Sequence, residues 1–147
     1  VSERGFDKEL SLFEIAVCES QGDLFEESQY DFGCDAFDFI TKFMQSEIAE
    51  SLDHDLSMCH TWGIKQTGET LMSMVDVKKH DGSKFIAREC LFWVGYMYRY
   101  WTWWLGTPSK AIIAEVPIET ACAMYEGYHT LDVEAAIMMF QRAKVDR

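Results

Sequence analysis

Two side chains in this sequence are of the type that holds or moves charge on a small molecule. Arg99 sits among Phe92, Gly95, Tyr96, Thr102 and Trp103, where a planar guanidinium has the fork geometry to grip a carboxylate or a phosphate. The plainer role for such an arginine is an internal ion pair with one of the 25 acidic residues, or stacking on Trp103, because a buried charge is normally paired. His129, in Tyr128-His129-Thr130, is of the general-base type. No serine, cysteine or carboxylate is tied to it by a nucleophile signature, so a loop histidine capping the next helix explains it more simply. If the two converge, Arg99, His129, Tyr96 and Trp103 line one pocket; no catalytic residue is assigned.

Asp53, His54, Asp55, Cys59 and His60 are zinc-ligating types, but their spacing matches no recurrent motif and a solvated helix boundary yields the same letters. No metal site and no cofactor follow from them. Glu69, Asp76 and Lys78 carry the D-x-K tail of metal-dependent nucleases, which place it on paired strands beside a basic cleft. The charge here has the wrong sign for that.

The net charge is −12, and it is confined to one region. Residues 1–55 hold fifteen Asp and Glu against Arg4, Lys8 and Lys42, whereas residues 56–147 hold ten of each sign. Direct binding of nucleic acid is not expected of the chain as a whole, since phosphate needs a basic surface; a basic protein partner fits better. Glu27, Asp31, Asp35 and Asp38 recur at helical spacing and are the candidate partner-binding residues, although such a stripe is most often only a solvated face.

These residues must be positioned by helices. The chain of 147 residues is 48% hydrophobic with only two prolines, which suits a single all-α domain spanning 1–147 with a real core. Residues 84–105 are the densest aromatic run, apolar on nearly every side when written as a helix, and form the expected buried centre of a compact bundle. The apolar stretch from Leu91 to Leu105 is interrupted by Arg99 and Thr102 and falls short of the roughly 20 residues a bilayer needs, so no membrane span is expected. Its aromatic rings, without interleaved basic residues, read as core before they read as a platform for nucleobases. Five cysteines without a CxxC pair are expected to be reduced, and no leader is evident, so the reading is cytoplasmic.

Other elements follow in order. A helix is expected from about Lys8 to Glu19, stopped by Gln21-Gly22-Asp23, and then one from Ser28 or Asp31 through about Leu52, with Phe32, Ala36, Ile40, Phe43, Met44 and Ile48 on its apolar side. A short helix before Gln66-Thr67-Gly68 and a helix-or-strand segment at 69–79, tilted to helix, precede the turn His80-Asp81-Gly82-Ser83, whose Ser83 would cap the central helix. Pro108 and Pro117 each open a short helix, the second ending at Gly127, and Thr130 or Asp132 caps the last. That makes six to eight helices.

Gly95-Tyr96-Met97-Tyr98-Arg99-Tyr100-Trp101, Gly106-Thr107-Pro108-Ser109-Lys110 and Tyr125-Glu126-Gly127-Tyr128-His129-Thr130-Leu131-Asp132 resemble segments of a family of small, uncharacterised bacterial proteins. Its members carry a tyrosine-arginine-tyrosine-tryptophan helix, a Ser-Ser-Lys or similar turn, and Tyr-x-x-His-Thr before a final helix. The resemblance covers the C-terminal half only, with Pro108 a departure in the turn. Members sit near toxin–antitoxin or mobile-element loci, which implies an accessory, partner-binding role and no activity. The resulting expectation is a non-enzymatic inhibitor of antitoxin, immunity or anti-CRISPR type whose acidic region blocks a basic target such as a nuclease or toxin. The alternatives are a small enzyme or ligand-binding module using Arg99 and His129, and a homo-oligomer with Trp93 and Trp103 at its seam.

Overall fold

In the computed structural model, which describes residues 9–54 and 61–146, the long N-terminal helix and the aromatic helix cross in direct backbone contact. The helices are α1 (Leu12–Tyr30), α2 (Ala36–Met44), α3 (Glu47–Asp53), α4 (Ile64–Met74), α5 (Arg88–Leu105), α6 (Ser109–Glu115), α7 (Ile118–Ala123), α8 (Tyr125–Tyr128) and α9 (Val133–Asp146). Among the described residues there is no strand, only an antiparallel bridge between Cys34 and Lys79. The fold is an all-α bundle, and none of its described helices is long and apolar enough to cross a membrane.

Helix α5 is the centre, as its composition requires: twelve of its eighteen residues are buried, and it stops at Gly106 in the left-handed region at φ 74°. Phe25 of α1 packs edge-on against both Phe43 of α2 and Tyr98 of α5, at centroid separations of 5.8 and 6.3 Å. The Tyr98 hydroxyl donates to the Val116 carbonyl at 2.6 Å, which fastens α5 to the chain just before α7. Trp101, Ile112, Ile118, Ala121 and Ile137 complete the buried interior.

Several boundaries differ from the expected ones, each for a physical reason. Gln21-Gly22-Asp23 does not end the first helix; α1 opens on a Ser11–Glu14 capping box and runs on to Tyr30. Gly22 is there for a close approach, since a Cβ on it would stand 2.7 Å from the Phe92 ring and 2.9 Å from the Phe92 carbonyl oxygen. That packing outweighs the roughly 1 kcal/mol that glycine costs in a helix.

The single helix expected up to Leu52 is two. Gly33, at φ 69°, breaks the chain before Asp35 caps α2 through the Asp38 amide at 3.0 Å, and Ser46 caps α3 through the Ala49 amide at 3.3 Å. Gln66-Thr67-Gly68 lies inside α4 rather than after a helix, because Gly68 leaves room for the Phe32 ring, which would come within 2.4 Å of a Cβ there. The 69–79 segment divides: helix to Met74, then extended chain whose Lys78 carbonyl and His80 amide bond to Asp35 and Gly33. Ser83 does not cap α5, which begins at Arg88 behind Ala87. Gln29 instead holds Ile86 extended, accepting from its amide at 3.2 Å and donating to its carbonyl at 3.1 Å. The helix opened by Pro117 ends at Ala123, and Gly127 lies within the short α8 that follows rather than acting as a stop.

Candidate functional site: a buried arginine network and an aromatic, acidic face

Arg99 is fully buried and committed internally. Its Nε donates to the Gln21 side chain at 2.9 Å, one terminal nitrogen to Asp53 Oδ1 at 2.6 Å, and the other to Ser109 Oγ at 3.2 Å. Ser109 completes the circuit, its hydroxyl donating to Asp53 Oδ1 at 2.6 Å and its amide to Oδ2 at 2.8 Å. Gln21 turns its amide nitrogen to the Gly95 carbonyl at 3.0 Å. Four helices, α1, α3, α5 and α6, thus meet on one charged group. Burial pulls the Arg99 pKa down, and the Asp53 carboxylate opposes it; a guanidinium remains charged throughout. A satisfied network of this kind fixes how the helices sit.

Trp103 stays near this centre. Its indole nitrogen donates to the Leu52 carbonyl at 3.2 Å, and the Arg99 guanidinium lies 5.9 Å from its ring. His129 is elsewhere: its ring stacks on Tyr125 at 4.2 Å and Nδ1 pairs with the Tyr125 carbonyl at 2.6 Å, within its own turn. Arg99 and His129 share no hydrogen-bond partner. Two clefts, of about 150 and 220 Å³, open beside Asp53, both walled by Glu50, Asp53 and Pro108. Neither has Arg99 or His129 on its wall.

Of the metal-type residues, Asp53 is occupied by Arg99 and Ser109, His54 is exposed, and Asp55, Cys59 and His60 lie outside the described residues. No described group of three His, Cys, Asp or Glu is placed to hold a metal. Glu69, Asp76 and Lys78 are exposed on α4 and on the extended chain that follows it, not on paired strands.

The four candidate partner-binding carboxylates do not share a helix face. Glu27 is on α1, 3.5 Å from Arg88; Asp31 is the α1 C-cap; Asp35 is the α2 N-cap. Asp38 accepts the Lys78 amide at 2.8 Å and pairs with Lys42 at 3.2 Å. Burial works to raise the Asp38 carboxyl, yet the Lys78 amide and Lys42 ammonium outweigh it and hold the group below the usual carboxylate range.

A continuous acidic ridge does exist, within α1 itself. Glu19, Asp23 and Glu26 follow at i, i+4 and i+7 along α1, with Glu19 and Asp23 exposed. Partial burial first, then repulsion from Glu26 and Glu19, pushes the Asp23 carboxyl upward. Glu26 is anchored by Arg88 at 2.8 Å, and Arg88 lies 3.9 Å over the Tyr30 ring. Beside this ridge Phe92, Tyr96, Tyr100 and Trp104 form a ladder up α5, with successive centroids 6.3, 6.1 and 6.3 Å apart. Phe92 and Tyr96 are only half-buried. Burial, then the neighbouring Cys18 and Glu19 of α1, raise the Tyr96 hydroxyl, while Tyr100 donates to Glu134 of α9 at 2.6 Å. Aromatic faces rimmed by carboxylates are an environment suited to cations. The i, i+4 spacing of the ladder and of the ridge was present in the sequence; what was missing was the knowledge that the helix continues through Gly22. In comparisons with family models, curated proteins and solved structures, the chain matches none of them.

Proposed function

We propose that this protein is a non-enzymatic interaction protein that engages a basic protein partner, in the manner of an antitoxin, an immunity protein or an anti-CRISPR inhibitor of a nucleic-acid-binding target. The observation that carries this reading is the adjacency of the Glu19–Asp23–Glu26 ridge to the half-buried Phe92 and Tyr96 rings. Carboxylates steer a cationic surface inward and screen out phosphate, and tyrosine faces then hold lysine or arginine side chains. The resemblance of the C-terminal half to proteins near toxin–antitoxin and mobile-element loci, and the placement of the whole charge surplus in residues 1–55, point the same way.

The reading in which Arg99 and His129 serve a small ligand has less support, because Arg99 is spent on Gln21, Asp53 and Ser109. A homo-oligomer joined at Trp93 and Trp103 has less too, since Trp103 is buried and Trp93 packs on Tyr125 and Phe140 of its own chain. Titration with an arginine-rich peptide tests the leading reading. Binding should weaken steeply with salt and be lost in a Glu19→Gln, Asp23→Asn, Tyr96→Ala variant that still folds. Binding unchanged in that variant would sink it.

A further inference from the structure

Helices α1 and α9 both run antiparallel to α5, along two different sides of it. On one side Gln29 of α1 bonds to Ile86, just before α5, and Gln21 bonds to Gly95 in its middle. On the other, Glu134 of α9 accepts from Tyr100 and Phe140 packs on Trp93 with centroids 6.4 Å apart. Phe92, which abuts Gly22, and Tyr96, stacked on Tyr100, fall on the face of α5 between these two contact lines. Their half-buried rings floor a groove walled by α1 and α9. Along the α1 wall Leu12, Glu19, Asp23 and Glu26 recur at i, i+7, i+11 and i+14, and Leu12 is 89% exposed. On the α9 wall Met138, one turn on from Glu134, is 42% exposed.

We infer that this groove seats an amphipathic, basic α-helix of the partner; the inference rests on the acidic-docking reading above and adds the form of the segment that is bound. An extended segment would need a strand edge to pair its backbone, and there is no strand among the described residues. A helix arrives with its backbone bonds made and packs as a further member of the bundle. Its apolar stripe lies on Phe92, Tyr96, Met138 and Leu12, where the flexible methionine thioether adapts to the shape it meets. Lysine or arginine stems on the adjoining edge cover the Tyr96 ring and carry their charge to Glu19 and Asp23, one turn apart. The chain's own Arg88 shows this mode of contact, its guanidinium 3.9 Å over the Tyr30 ring and 2.8 Å from Glu26. The wall from Leu12 to Glu26 is roughly 21 Å long at 1.5 Å per residue, which suits a helix of about four turns.

The test titrates the full chain, by fluorescence anisotropy, with two synthetic peptides of one composition rich in leucine, lysine and arginine. In the first the leucines form one helical stripe beside the basic residues; in the second the order is scrambled so that no stripe forms. The striped peptide should bind about tenfold or more tightly than the scrambled one and should gain helical circular dichroism on binding. A Leu12→Gln, Met138→Gln variant, altered only at exposed side chains, should lower its affinity to that of the scrambled peptide. Equal binding of the two peptides to the parent chain overturns the helical groove while leaving the acidic-docking reading in place; binding of neither at low salt overturns both. A parent chain that sediments as a dimer, with the double variant a monomer, assigns the groove to a second copy and overturns the inference as well.

Discussion

Gly22 of α1 and Gly95 of α5 meet backbone to backbone: a Cβ on Gly95 would lie 2.8 Å from the Gly22 Cα and 2.6 Å from the Gln21 carbonyl oxygen. Backbone cannot swing aside as a side chain does, so Gly95→Ala must push the two helices apart. The expected loss is at the upper end of the roughly 1–3 kcal/mol typical of overpacked cores, read as a fall in denaturation midpoint. Gly127→Ala, where a Cβ would meet open space, is the control and should be close to neutral.

The Arg99–Asp53 pair, 2.6 Å apart with Arg99 fully buried, predicts strong coupling. Arg99→Met alone leaves the Asp53 carboxylate without its buried cation and should lose about 3–5 kcal/mol of stability. Adding Asp53→Asn removes the orphaned charge, so the double variant should be less destabilised than the two single losses added together. A double-mutant cycle by urea unfolding reads this directly; strict additivity would mean the pair contributes no coupling.

Trp101 is the largest fully buried side chain. Trp101→Ala should cost about 3–5 kcal/mol, enough to unfold much of a domain of ordinary stability. Near-parental melting would refute its place in the core.

Asp38 supplies a pH dependence whose sign is fixed. Its carboxyl is held below the unfolded value, with burial opposing the Lys78 amide and the Lys42 ammonium. The stability it contributes is therefore fully present above the ordinary aspartate range and is lost as pH falls through the depressed folded value. Asp38→Asn should flatten the acid limb of a stability-versus-pH curve while leaving neutral-pH folding cooperative; an unchanged acid limb would contradict this.

How much of this was legible in the sequence depended on where packing entered. Residues 84–105 read as a buried helix because Leu91, Val94, Met97, Trp101 and Leu105 keep helical period within a run too short to span a membrane, and only its first turn was misplaced. The Ile86 backbone there is held by Gln29, 57 residues away, and no local propensity reports such a bond. Gly22 read as a stop because glycine is poor in helices, but its purpose is the approach of Phe92. The acidic residues were visible as a group but their division was not. Asp35 and Asp38 are taken up by a cap and a chain crossing that depend on the turn at Gly33. Arg99 was readable as a residue needing a carboxylate, while Asp53 as that carboxylate required the tertiary fold.

The bond from Gln21 to the Gly95 carbonyl joins residues 74 positions apart in the chain, and this has a consequence for how the protein reaches its native state. The Gln21 side chain and the Arg99 Nε cannot find each other until the chain between α1 and α5 has closed. The entropy of closure must be overcome before the contacts that reward it exist. Native packing therefore requires the meeting of the N-terminal helix with a partner made much later on the ribosome. Until the sequence beyond Gly95 has emerged, the side of α1 that meets α5 has nothing to cover it.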